Sequence, residues 1–318
     1  FFSLLFTFFH FLSLSYANGP GTTSANFLKI GIGARPVAMG EAFVSIADDA
    51  NTIVHNPAGL ARLEKKEFSA MHLEYFQNIR YEALSYIHPL KLWTVGVSLG
   101  YLYMNDIKRT YFYEEEVYAE SGKFGASDRT AVLGFGKNAN KNLSYGFSVR
   151  GIRETLDDVS ATAFCLDLGL LYYHGSRRFQ PAKPKGCGYL SKITFGLALQ
   201  NIGTRMKFIE VKEKLPIVLR TGVSTKILNE KLLVAFELYK PSDNYPELKL
   251  GAELWLFNLF APRAGYRYRT WGRDNNLGGL SGLTAGLGIK IYNYMIDYAF
   301  IPYGDLGYTH RFSLGGKF

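Results

Sequence analysis

Leu143-Ser144-Tyr145-Gly146-Phe147-Ser148-Val149-Arg150 alternates without a break: odd positions are bulky and apolar, even positions small or charged. A strand turns successive side chains to opposite faces, so this octapeptide carries one greasy face and one wet face. The same pattern predicts fourteen strands, near 67–75, 79–88, 93–104, 128–137, 143–152, 162–173, 191–202, 214–226, 231–239, 246–256, 260–269, 281–291, 293–300 and 307–317. Along them Arg150, Asp167, Arg220, Glu237, Lys249, Glu253, Arg267, Lys290, Asp297 and Arg311 all take the parity opposite to the bulky residues. A soluble sandwich would show the same separation with the greasy face inward. Here Gly, Ser and Thr crowd the charged face while Phe, Tyr and Leu dominate the other, which puts lipid outside and water inside. The expected class is all-β: a 14-stranded antiparallel transmembrane β-barrel whose lumen holds the charges.

Composition agrees. Aromatics make up 15% of the 318 residues, with 22 Tyr and 24 Phe, enough for aromatic girdles at two membrane interfaces. The rhythm runs to the C-terminus with no Pro/Ser-rich linker, which favours one domain. The net charge of +9 is spread over turns and polar faces without a basic helix or an RNA-binding motif, so nucleic acid is not an expected partner. Cys165 and Cys187 imply no disulfide framework, and no His or Cys pair has zinc spacing. His55, His72, His88, His174 and His310 are scattered, and none is placed beside an obvious lumenal nucleophile; neither catalysis nor a cofactor is expected.

Residues 1–17 form an apolar run ending in Ser15-Tyr16-Ala17, a small-x-small site that reads as an export signal lacking its basic start. Residues 18–66 differ from both neighbours. Short helices and turns are expected there, with Asp48 and Asp49 capping a helix that starts near Ala50, and Pro57 with Gly59 ending it. Residues 67–318 make up the barrel.

The segment contains Ala34-Arg35, Met39-Gly40-Glu41-Ala42-Phe43-Val44, Ala47-Asp48-Asp49 and Asn56-Pro57-Ala58-Gly59. With the end of the chain, Asp297-Tyr298-Ala299-Phe300 through Thr309-His310-Arg311-Phe312 to Phe318, and with Leu199-Gln200-Asn201-Ile202-Gly203, it resembles the PorV/PorQ family, relatives of the FadL outer-membrane transporters. The resemblance implies a short helical N-terminal plug in the lumen, carried by Arg35, Met39, Asp48, Asp49, Asn56, Pro57 and Gly59. It also implies location in the bacterial outer membrane, contact with outer-membrane lipid, and a terminal Phe318 read by the barrel-assembly machinery as an insertion signal. Arg35, Asp48 and Asp49 are expected to pair with wall residues such as Arg220, Glu237 and Arg267. Two functions follow from the resemblance: handling of exported cargo with type IX secretion proteins, as PorV does, or FadL-like passage of a hydrophobic ligand. Apolar residues on the lumenal parity and an apolar outer groove would favour the second. The stretch Tyr111-Phe112-Tyr113-Glu114-Glu115-Glu116-Val117-Tyr118 suits either. Outer loops are expected at 105–127, 153–161, 203–213, 240–245 and 270–280, and the basic connection 174–190 is unusually long for an inner turn.

Overall fold

A computed structural model describes residues 19, 21–114, 117–174, 193–269 and 282–318, with the side chains of 111–120 and 305 outside that description. The predicted signal 1–17, Cys187, most of the connection 174–190 and the loop 270–280 lie outside the described residues.

The alternating stretches become strands β1 (Glu67–Glu74), β2 (Arg80–Pro89), β3 (Thr94–Glu114), β4 (Val117–Asn138), β5 (Leu143–Leu156), β6 (Val159–His174) and β7 (Ile193–Gly203). A small outer pair follows, β8 (Met206–Lys207) and β9 (Lys212–Glu213). The wall resumes with β10 (Val218–Ile227), β11 (Leu232–Pro241), β12 (Glu247–Leu254), β13 (Phe260–Arg269), β14 (Leu283–Ile291), β15 (Tyr294–Pro302) and β16 (Tyr308–Lys317). Fourteen of these close into one antiparallel barrel in which β16 pairs with β1, so the wall has no free edge. Phe318 completes that seam: its backbone exchanges hydrogen bonds of 3.0 and 3.1 Å with Lys66.

Polarity is inside out. Phe164 is 60% exposed while Asp167, three residues along the same strand, is 0% exposed. Leu84, Leu99, Leu133, Val149, Phe236, Leu250, Leu287 and Phe312 all stand on the outer surface. Only hydrocarbon makes such an exterior favourable, and a closed barrel is the way a chain of strands crosses it.

Two predicted loops are corrected. The stretch 105–127 is mostly a hairpin, because β3 and β4 continue well past the level at which β2 and β5 leave them. No side chain described in 105–110 or 121–127 is buried, so no alternation announces it there, and three register shifts interrupt its ladder. The loop 153–161 shrinks to a tight turn at Asp157-Asp158, with Asp157 at φ 56°.

The second irregularity lies in β7. Asn201 takes φ 61°, the β6–β7 ladder slips opposite Leu166/Leu168, and pairing with β10 ends at Gln200↔Val218. This is a bulge, and above it β7 and β10 are no longer hydrogen-bonded as strands.

Candidate functional site

Residues 22–63 run down the inside of the barrel. Their upper end is tied to the outer loops: Ser24 N–H donates to the Lys214 carbonyl at 3.1 Å, and Asp243 accepts from Thr23 Oγ1 at 2.6 Å and from Lys29 Nζ. Below lie a 3-10 turn at Asn26–Lys29, helix α1 (Ala34–Ala38), helix α2 (Thr52–His55) and a second 3-10 turn at Pro57–Arg62. The helix expected near Ala50 thus begins at Thr52, where Asp49 Oδ1 accepts from Asn51 N–H at 2.9 Å. Pro57 opens the last turn instead of ending a helix, because its fixed φ suits a first helical position and Asn56 Oδ1 caps Ala58 N–H at 3.1 Å.

Small residues line the wall because this segment's backbone lies directly on them. A Cβ on Gly146 would sit 2.3 Å from the Pro57 carbonyl oxygen, one on Gly196 2.3 Å from that of Val44, and one on Gly251 2.4 Å from that of Met39. Asn56 spans the gap, donating to the Val44 carbonyl at 2.8 Å and to the Leu170 carbonyl of β6 at 3.2 Å. Gly59 packs on Thr52 and Ala47 too tightly for any side chain.

Charges form the next layer. Arg35 donates to Glu253 through two nitrogens, at 2.7 and 2.9 Å, and to Asp48 and Asp49 at 2.6 and 2.8 Å. The expected pairing of Asp48 and Asp49 with Arg220 or Arg267 is therefore corrected: Arg35, on their own segment, takes both. Glu253 also holds Arg263, which reaches Asp297 at 2.7 Å. Arg150 pairs with Asp167 at 2.8 Å, and Arg220 with Glu237 at 2.6 Å. Glu237 accepts in turn from the N–H groups of Phe43 and Val44 at 2.9 and 2.8 Å. Arg311, 1% exposed, donates to the Gly31 carbonyl. Lys290 shares the lumenal parity but stands exposed at the inner rim, away from this network.

Sequence reasoning missed Arg263, which shares the parity of Arg267 on β13, and Glu41, which binds Lys249 at 2.8 Å and Arg267 at 3.1 Å. A single charge inside the run Met39–Ala47 was the available signal for Glu41. Burial pushes the Glu41 carboxyl up, but Lys249 and Arg267 outweigh it and hold the group well below the usual carboxylate range. His55 goes the other way: burial, and then the neighbouring Arg220, lower it to about 3. It is neutral, accepting from Arg220 Nη1 at Nδ1 (3.1 Å) and donating from Nε2 to the Ile32 carbonyl (2.9 Å). A cavity of about 40 Å³ lies here, lined by Ile30, Glu41, His55, Arg150, Gln200 and Arg220 and abutting the β7 bulge. It has room for roughly two or three waters.

Above the charges the lumen turns apolar. Ile152, Ala161, Ala163 and Cys165 of the wall meet Met206 and Leu215 of the outer loop around Ala25 and Phe27. Met71, Leu73, Tyr81 and Ala83 continue the lining beside Ile30 and Ile32.

An apolar exterior, a charged and filled lumen and a closed 14-strand wall define an outer-membrane β-barrel. Residues 14–241 match the profile of UPF0164, described as an uncharacterised protein family, and the chain belongs to that family. No curated protein matches. Among solved structures, the CymD monoaromatic hydrocarbon channel aligns at TM-score 0.60 with 14% identity over 91% of this chain and 98% of its own. The Pseudomonas putida toluene transporter TodX gives 0.59 and 14%, over 90% and 96%. A Pseudomonas aeruginosa FadL homologue gives 0.55 and 11%, over 91% and 97%. At these identities the likeness is one of fold, and none of these three proteins is a secretion component of the expected type IX kind.

Proposed function

We propose that this barrel admits hydrophobic small molecules across the outer membrane without catalysis, taking them first into the apolar outer part of the lumen. The observation that carries this reading is the lining around Phe27: Ile152, Ala161, Ala163, Cys165 and Leu215 turn lumenal positions, which a polar channel would keep wet, into a greasy chamber. The protein's own residues Ala25 to Ile32 occupy that chamber and stand where a ligand would sit. The fold shared with hydrocarbon channels supports the same reading.

Passage beyond the chamber requires a change, since the cavity below holds only water-sized space. Either the N-terminal segment acts as a plug that shifts, or the wall parts above Gln200, where β7 and β10 have no ladder to break. Uptake of radiolabelled toluene into proteoliposomes tests the proposal. The native protein should raise the rate over empty vesicles, and Ala163→Arg, which puts a charge in the chamber, should abolish the gain. Equal rates for native protein and the Ala163→Arg variant would refute it.

A further inference from the structure

We propose that the outer face of β3–β5 holds the headgroup of an anionic phospholipid, gripped by Arg129 and Arg153. These residues are direct cross-strand partners and both are exposed on the lipid side of the wall. Like charges placed opposite each other on a sheet repel, so the pair is unfavourable unless an anion joins it. The chain supplies none among the described residues. Asp128 and Glu154, each next in sequence to one of the arginines, take the lumenal parity. Glu82, in the same outward row beyond Tyr101, is bound to His72 at 2.7 Å. Asp157 is bound to Arg109. Arg129 lies over the Tyr101 ring at 5.1 Å, and Arg153 reaches only the Ser160 hydroxyl at 3.3 Å.

Height selects a lipid as the occupant. Tyr101 and Tyr103, stacked at 4.9 Å, mark the aromatic level at which hydrocarbon gives way to headgroups. The outward residues immediately below the arginines are Ala131 and Gly151, flanked by Leu99 and Phe164, which are 50% and 60% exposed. The two small residues leave a short trough beneath the guanidinium pair, walled by Leu99 and Phe164 and closed one row further down by Leu133 and Val149, which are 44% and 47% exposed. The glycerol and first carbons of an acyl chain fit the trough while the phosphate above them meets two planar forks suited to phosphate oxygens. A free anion would make no use of the trough.

The test uses the full-length chain in neutral detergent, with bound lipid counted by native mass spectrometry. Dioleoylphosphatidylglycerol should be retained over dioleoylphosphatidylcholine, and R129Q/R153Q should bind the former on the order of tenfold more weakly, the loss expected for two headgroup contacts. Ala131→Leu keeps both charges but fills the trough, and should also weaken retention. It gives the answer if the double variant fails to show the heat-modifiable gel migration of a folded barrel. Equal retention of the two lipids overturns the proposal, as does equal binding by wild type and R129Q/R153Q. Displacement of phosphatidylglycerol by millimolar inorganic phosphate would overturn the assignment to a lipid.

Discussion

Arg35 and Glu253 join the N-terminal segment to the wall through two parallel hydrogen bonds, Nε to Oε2 at 2.7 Å and Nη2 to Oε1 at 2.9 Å. Glu253 is 1% exposed and serves Arg263 as well, so it neutralises two buried cations. Glu253→Gln leaves Arg35 balanced by Asp48 and Asp49 and Arg263 by Asp297, but removes the charged acceptor that ties Arg35 to the wall, a loss of about 2 kcal/mol. The expected result is faster hydrogen exchange at the amides of residues 34–62 with the barrel strands still protected. Unchanged exchange in the segment would contradict the assigned anchoring.

The wall glycines give a steric prediction. At Gly196 an added methyl meets the Val44 backbone at 2.3 Å, a contact that no side-chain rotation relieves. Gly196→Ala should push the segment off β7 and raise single-channel conductance in planar bilayers above that of the native protein. At Gly151, on the lipid side, the nearest atom to an added Cβ is Phe164 Cε1 at 3.5 Å, so Gly151→Ala should leave conductance unaltered.

Much of this was legible in the sequence, and the reason is physical. Wherever one face meets hydrocarbon and the other the lumen, parity is enforced residue by residue, so β5 reads directly from Leu143 to Arg150. Beyond Met104 the described side chains of the hairpin are all at least partly exposed, and that signature is lost. The lumenal network was only half legible: parity sends Arg220, Lys249 and Glu253 inward, but their partners are fixed by how an irregular segment folds against them. Glu41, Asn201 and the latch between Lys29 and Asp243 belong to that tertiary information. Asp48 and Asp49 went to Arg35, a contact that no periodicity encodes.

Acid should loosen the segment before it harms the wall. His55 is lowered from 6.5 to about 3, so between those values the unfolded chain binds a proton that the folded chain refuses. Its contribution is complete above 6.5 and declines as pH falls toward 3; Glu41, also lowered, adds its own loss only below 4.5. From pH 6.5 to 5 the His55 share is about 2 kcal/mol. Exchange rates of amides near Ile32 and His55, corrected for intrinsic pH dependence, should rise over that interval. In His55→Gln the rise should vanish, and a rise of equal size in that variant would assign the effect elsewhere.

Phe318 closes the β1–β16 seam through Lys66, and its ring lies 6.2 Å from that of Phe68. It is 60% exposed, so little packing depends on it. Deleting it should cut the yield of heat-modifiable barrel in outer-membrane fractions severalfold, while the barrel that does assemble melts within a few degrees of native. A large fall in melting temperature at normal yield would make Phe318 a structural residue and not an insertion signal.

The latch at the outer mouth makes the last prediction. Asp243 is 1% exposed and ties Thr23 and Lys29 to the outer loop, holding Phe27 in the apolar chamber between them. Asp243→Asn keeps the shape but removes the counter-charge of Lys29, which is itself partly exposed and gains hydration once released. Phe27 then loses its upper restraint while the layer at Arg35 and Glu253 stays intact. With Cys165 and Cys187 replaced by alanine, a maleimide reporter at Phe27→Cys should react slowly and at least several times faster when Asp243→Asn is added. Toluene uptake should rise in the Asp243→Asn single variant if emptying the chamber is the limiting step. Faster labelling with unchanged uptake would separate the latch from transport and put the barrier lower, at the charged layer or at the bulge beside Asn201.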